Sequence, residues 1–147
     1  MKKALVSCNV YVSEGRSKPL IAAMRGIAQA AAGVTLVTSF VDAPYHRSSY
    51  TLAGAPAPVL RAAVSMCEHA LQHVDLTEHE ATHPRIGVVD HISVHPLLGI
   101  SLGALGEQVR GELGGSIGAE LDLPVLLYGS AHPDGKSLAG TWWHCLW

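Results

Sequence analysis

The sequence predicts an α/β (α+β) fold, a mixed β-sheet with helices on one face. Three observations lead there. Short β-branched runs and longer stretches of helical apolar spacing follow one another in the order β-α-β-β-α-β-α-β. The first six elements match the split βαβ arrangement of ferredoxin-like folds, βαββαβ, with an αβ unit appended. The 147 residues, 48% hydrophobic and 15% charged, suit one domain with one core.

Lys3–Val12 is β-branched and free of Gly and Pro, so it reads as a strand. Ser17 is placed to cap a helix over 19–32, with Pro19 in the first turn and Gly33 just beyond its end. Residues 34–41 and 48–53 read as strands, antiparallel because the connection is so short. Pro58 opens a helix running to about His73, with Val59, Leu60, Ala63, Cys67 and Leu71 on one face. A polar loop, 75–84, leads to a strand over 86–94 that Pro96 ends. A helix over 102–121 is expected despite six glycines, and Pro124–Tyr128 reads as the last strand. Residues 1–138 are read as the domain and 139–147, which holds all three tryptophans, as an atypical Trp-rich tail.

Composition excludes several classes. A net charge of −2 and no Lys/Arg run give no footprint for nucleic acid or an anionic membrane surface. No apolar segment reaches a membrane-spanning length. Ser7 and Asn9 interrupt the apolar run behind Lys2 and Lys3, so it is not read as a signal peptide. Three cysteines, Cys8, Cys67 and Cys145, without a CxxC pair suit reduced thiols in the cytoplasm.

Chemistry gathers in residues 75–99, which hold His79, His83, His91 and His95. His79-Glu80-Ala81-Thr82-His83 matches the zinc-protease pattern H-E-x-x-H, which needs both histidines on one helical face. Pro84 follows at once and pushes His83 out of the α region, so a zinc site is not expected. His91 and His95 share one face of a strand, but no tight Cys/His ligand set surrounds them, and no metal is expected. The stronger candidate is His83, held between Pro84 and a strand and titrating in the range that suits general acid–base work. Arg85 offers charge for a substrate carboxylate, and Asp42 or Asp90 could orient the imidazole. Asp42–Arg47 and Ser13-Glu14-Gly15 are two further polar turns at strand ends.

Four blocks carry a resemblance: Cys8-Asn-Val-Tyr-Val-Ser-Glu-Gly15, Asp42–Arg47 with Tyr50-Thr51, His83-Pro-Arg-Ile-Gly-Val-Val-Asp90, and Leu121-Asp-Leu-Pro-Val-Leu-Leu-Tyr-Gly129. In this order they resemble the amino-terminal subdomain of formiminotransferases, the folate-dependent enzymes of histidine degradation. The stretches around Val88-Val-Asp-His-Ile92 and Tyr128-Gly-Ser-Ala-His132 are most similar to the formiminotransferase-like proteins of plants.

The resemblance implies transfer of a formimino group from formiminoglutamate to tetrahydrofolate, the co-substrate. It implies His83 as general base with Asp42 as its acidic partner, and Arg47 and Arg85 for substrate carboxylates. Tyr11 stands where the family has an asparagine that lines its site, and the 42–47 turn is shorter than the family's. The family's substrate site lies between two subdomains, of which these blocks match the first. That leaves the alternative of a non-catalytic α/β folate-binding or protein-interaction module, and a homodimer or partner chain as a source of the other half.

Overall fold

A computed structural model of the chain describes residues 3–142. Strand β1 (Leu5–Val12) leads to α1 (Lys18–Ala30), β2 (Val34–Asp42), β3 (Arg47–Gly54), α2 (Pro56–His73), β4 (Val89–Leu98), α3 (Leu102–Gln108) and α4 (Gly115–Glu120). A short helix, α5 (Leu138–Trp142), follows, and residues 143–147, with Cys145 and most of the Trp-rich tail, lie outside the described residues. Ser17 caps α1 as its type suggests, its hydroxyl accepting from the amide of Leu20 at 3.4 Å.

The four strands form one sheet in the order β2-β3-β1-β4. The α+β class and the helix-covered sheet agree with the sequence reading. The expected mixed pairing does not, because every neighbouring pair is antiparallel. The helical crossovers do make β1 parallel to β2 and β3 parallel to β4. Each crossover skips one position, and an opposed strand fills the gap. The strand expected at Pro124–Tyr128 would have added a parallel pair beside β4. That segment makes no ladder with β4. Leu127 and Val125 pack instead on Gly114, just ahead of α4, 3.3 and 3.6 Å from where it would carry a Cβ.

Pro96 does not end β4, which runs on to Leu98. The strand is an edge strand, where a missing amide donor breaks no ladder bond. The expected 102–121 helix forms in two pieces, joined by a π-helical stretch over Val109–Gly114. Among its glycines, Gly106 is needed for space, since a Cβ there would strike the backbone of Ser130.

Alternation along β1 sets the two faces of the sheet. Val6, Cys8, Val10 and Val12 are buried and meet Tyr50 and Leu52 of β3. Met24 and Ala28 of α1, and Leu60, Ala63 and Met66 of α2, cover them. Each fully buried aliphatic chain stabilises the fold by about 1.5–3 kcal/mol before entropy is counted. Cys8 and Cys67 are free thiols in this core, and burial pushes each pKa up to about 12, so both are inert. Ser7, Asn9 and Tyr11 point to the other face, with Ser49 and Thr51 of β3 and His91, Ser93 and His95 of β4 beside them by register. Helices leave this face uncovered, and it is polar. Thr51 donates to the Asn9 carbonyl oxygen at 2.7 Å, and the Asn9 amide donates to Ser93 at 3.4 Å.

Candidate active site

The three polar turns singled out in the sequence meet at one end of the sheet. Gly15 brings the first turn against the second, since a Cβ there would collide with the backbone of Asp42 and Arg47. Ser13 ties the same turn to the loop after α2. Its amide donates to the carbonyl of Val88 at 2.8 Å and its hydroxyl to that of Gly87 at 2.7 Å. The loop in turn lies on the 43–46 turn, with Thr82 donating to the carbonyl of Pro44 at 3.2 Å.

His83 sits on this loop, half-buried. Its Nδ1 lies 2.6 Å from the carbonyl of Pro84. A carbonyl only accepts, so Nδ1 carries a proton, and in the neutral ring Nε2 keeps the lone pair. The ring leans on Tyr45, with centroids 5.1 Å apart. Asp42 accepts from the amide of Tyr45 at 2.9 Å. The acid and the imidazole are therefore linked through Tyr45, and no direct hydrogen bond joins them.

Arg47 forms an ion pair with Asp90, whose side chain is only 2% exposed, and also donates to the carbonyl of Pro84 at 3.3 Å. Asp90 accepts from the amide of Ile86 at 2.7 Å, so one carboxylate fixes both ends of the strand entry. Arg85 donates to the carbonyl of His79 at 2.6 Å and braces the loop from within. Tyr11 lies apart, on the open face, 5.5 Å from the ring of His91. His91 Nε2 is 2.7 Å from the hydroxyl of Tyr128. Burial lowers the pKa of His91 against the opposing pull of Asp90 and keeps it neutral near pH 7.

The sequence offered no reason to choose Tyr45, His46 or Tyr128. His46 adopts the left-handed region at φ +52 and packs at a tilt on His79, with centroids 4.0 Å apart. Its Nδ1 is 3.7 Å from the Glu14 carboxylate. Burial lowers its pKa more than Glu14 raises it. Turn chemistry at 43–46 was visible, but the partner across 33 residues was not. His79 and His83 face different rings, so the H-E-x-x-H string presents no paired ligands. Among the described residues no group of three or more His, Cys, Asp or Glu is arranged to hold a metal ion. None of the described helices is long and apolar enough to cross a membrane.

A cavity of about 380 Å³ opens beside this cluster, between β4, the α3–α4 helices and residues 123–128. Leu105, Val109, Leu113 and Val125 are among its apolar lining residues, and Asp90, His91 and Tyr128 among its polar ones.

Residues 5–141 match the family model of the formiminotransferase domain, N-terminal subdomain. The chain belongs to the formiminotransferase family. It is 34% identical over 143 residues to a formiminotransferase cyclodeaminase-like protein of Arabidopsis thaliana, covering 94% of this chain and 48% of that protein. It is 30% identical over 137 residues to the glutamate formimidoyltransferase of Streptococcus pyogenes serotype M1, covering 92% and 46%. A formimidoyltransferase-cyclodeaminase of Gallus gallus is 33% identical over 129 residues, covering 86% of this chain and 23% of its own length. The chain thus spans about half the length of the first two relatives and less of the third. The formiminotransferase blocks around Glu14, Asp42 and His83 are those that meet at the loop cluster. The fourth block brings Tyr128 to His91 across the mouth of the cavity.

Proposed function

We propose that this chain is a folate-binding half of a formimino-transferring enzyme, with His83 as general base. The observation that carries the reading is the state of His83. Its Nδ1–H is held by the Pro84 carbonyl, which leaves Nε2 as the acceptor a base requires. Tetrahydrofolate is the co-substrate and formiminoglutamate the donor. Nε2 takes a proton from the folate amine. The amine nitrogen then bonds to the formimino carbon, and the bond from that carbon to the glutamate nitrogen breaks as that nitrogen gains a proton.

Asp42 acts at one remove, holding Tyr45 against the imidazole. Arg85 and Arg47 are the cations nearest His83 in sequence and in hydrogen bonding, and they serve the carboxylates of the donor and of folate. Arg47 would share its charge with Asp90. Tyr11 extends the surface along the open polar face. A second copy or a partner chain closes that face, and the protein works in the cytoplasm.

The test is formimino transfer from formiminoglutamate to tetrahydrofolate by wild type and His83→Ala. Equal rates in the two remove the proposal. A second reading, a folate-binding or protein-interaction module without catalysis, is favoured by tyrosine at position 11. Titration with tetrahydrofolate separates binding from catalysis. Binding with no transfer supports the folate-binding form of the second reading, and no binding by folded protein leaves only the interaction module.

A further inference from the structure

The last two turns of α2 carry His69 and His73. A spacing of four places both on one stripe of the helix. Their ring centroids are 4.1 Å apart and their planes differ by 31°. His73 is exposed and His69 half-buried. His73 Nδ1 lies 2.8 Å from the carbonyl of His69, so Nδ1 carries the proton and Nε2 keeps the lone pair. Metal-bound imidazoles use this arrangement, with one N–H anchored on a backbone carbonyl and the other nitrogen on the ion.

We propose that His69 and His73 form a two-histidine site for a divalent first-row transition ion, with water filling the remaining positions. Imidazole pairs take copper, nickel and zinc, with copper bound most tightly. At metal–nitrogen distances of about 2.0–2.1 Å, two adjacent imidazoles on one ion hold their centroids roughly 4.5 Å apart. Small side-chain rotations reach that from the observed spacing.

The other close pair of rings, His46 and His79, does not offer the same chemistry. His46 Nδ1 faces the Glu14 carboxylate and the Gly15 amide, and His79 Nε2 bonds the carbonyl of His46. On α2 an ion ties the helix end from which the loop bearing His83 departs.

The experiment titrates the intact 147-residue chain with nickel chloride by calorimetry, alongside His69→Gln and His73→Gln. Wild type takes up one ion, and each substitution weakens uptake by about tenfold or more. A second measurement needs no variant. Zinc chloride added to wild type shifts the ring resonances of His69 and His73 before those of any other histidine. No uptake by wild type, undiminished uptake by the double variant, or first shifts at other histidines overturns the proposal.

Discussion

Two histidine pairs share one spacing, His69 with His73 and His79 with His83, and the fold treats them oppositely. The first pair lies on α2, and its rings stack 4.1 Å apart. The second lies on a loop. There His79 packs at a tilt on His46 and His83 leans on Tyr45, so the two rings serve different neighbours. Four residues bring side chains together only where the backbone turns every 3.6. The same letters on an extended loop instead spread two imidazoles over separate tasks. One ring packs on His46 and the other on Tyr45.

The largest expected difference between the pairs is in catalysis. His83→Ala should lower formimino transfer by about 10²–10⁴-fold, the usual worth of a positioned acid or base. Replacing Glu68, exposed on α2, should leave the rate at the wild-type level. Initial rates at saturating donor decide this, and a His83→Ala enzyme within a few-fold of wild type breaks the assignment.

The loop pair also depends on tethers that the helix pair does not need. Asp90→Ala removes the partner of Arg47 and the acceptor of the Ile86 amide, leaving a partly buried cation unpaired. Loss of one member of a buried pair costs about 3 kcal/mol. Urea unfolding should show it as a lowered midpoint. A midpoint equal to wild type would mean that the tether contributes nothing.

How much of this was legible in sequence follows the same division. Helices α1 and α2, the hairpin of β2 and β3, and the buried face of β1 are local patterns, and each was readable from periodicity and turn residues. His83, Arg85 and Asp42 are readable as candidates from residue chemistry, and the family blocks add Arg47 and Tyr11. Antiparallel pairing throughout was not, because strand order depends on which gap each crossover leaves. Nor was the meeting of His46 with His79, or of His91 with Tyr128, each made across more than thirty residues. The His69–His73 pair was within reach of sequence alone. Its helix follows from periodicity, and a spacing of four on a helix places both side chains on one stripe.

The protonation of His46 is something that stability can report. Burial lowers the pKa of His46, so the folded protein keeps it neutral. Below the unfolded value near 6.5 the unfolded chain takes up a proton that the fold refuses. The stability linked to His46 is therefore present above pH 6.5 and lost as pH falls through the folded pKa. Glu14 opposes the shift, while His79 and Arg16 add to it. His69 and His91 are lowered too and act in the same direction. The urea midpoint should fall on going from about pH 7.5 to 5.5. His46→Asn, which tolerates the left-handed backbone, should shrink the fall. A fall of the same size in wild type and variant would show that His46 does not report on the pH change.

The smallest expected effect tests the backbone directly. Gln72 and Thr82 occupy the same place inside the two spacers, each just before the second histidine. Gln72→Gly weakens an exposed position in the last turn of α2, at a cost of up to about 1 kcal/mol. The loosened turn no longer holds His73 over His69, so nickel affinity should fall with it. Thr82→Gly removes one exposed hydrogen bond to the Pro44 carbonyl from a loop that has no helix to lose. Its stability should stay within about 0.5 kcal/mol of wild type. Nickel affinity there should not change, because His79 and His83 never faced one ion. If both glycines lowered nickel affinity equally, the contrast between helix and loop would fail. The metal would then be held elsewhere among the nine histidines.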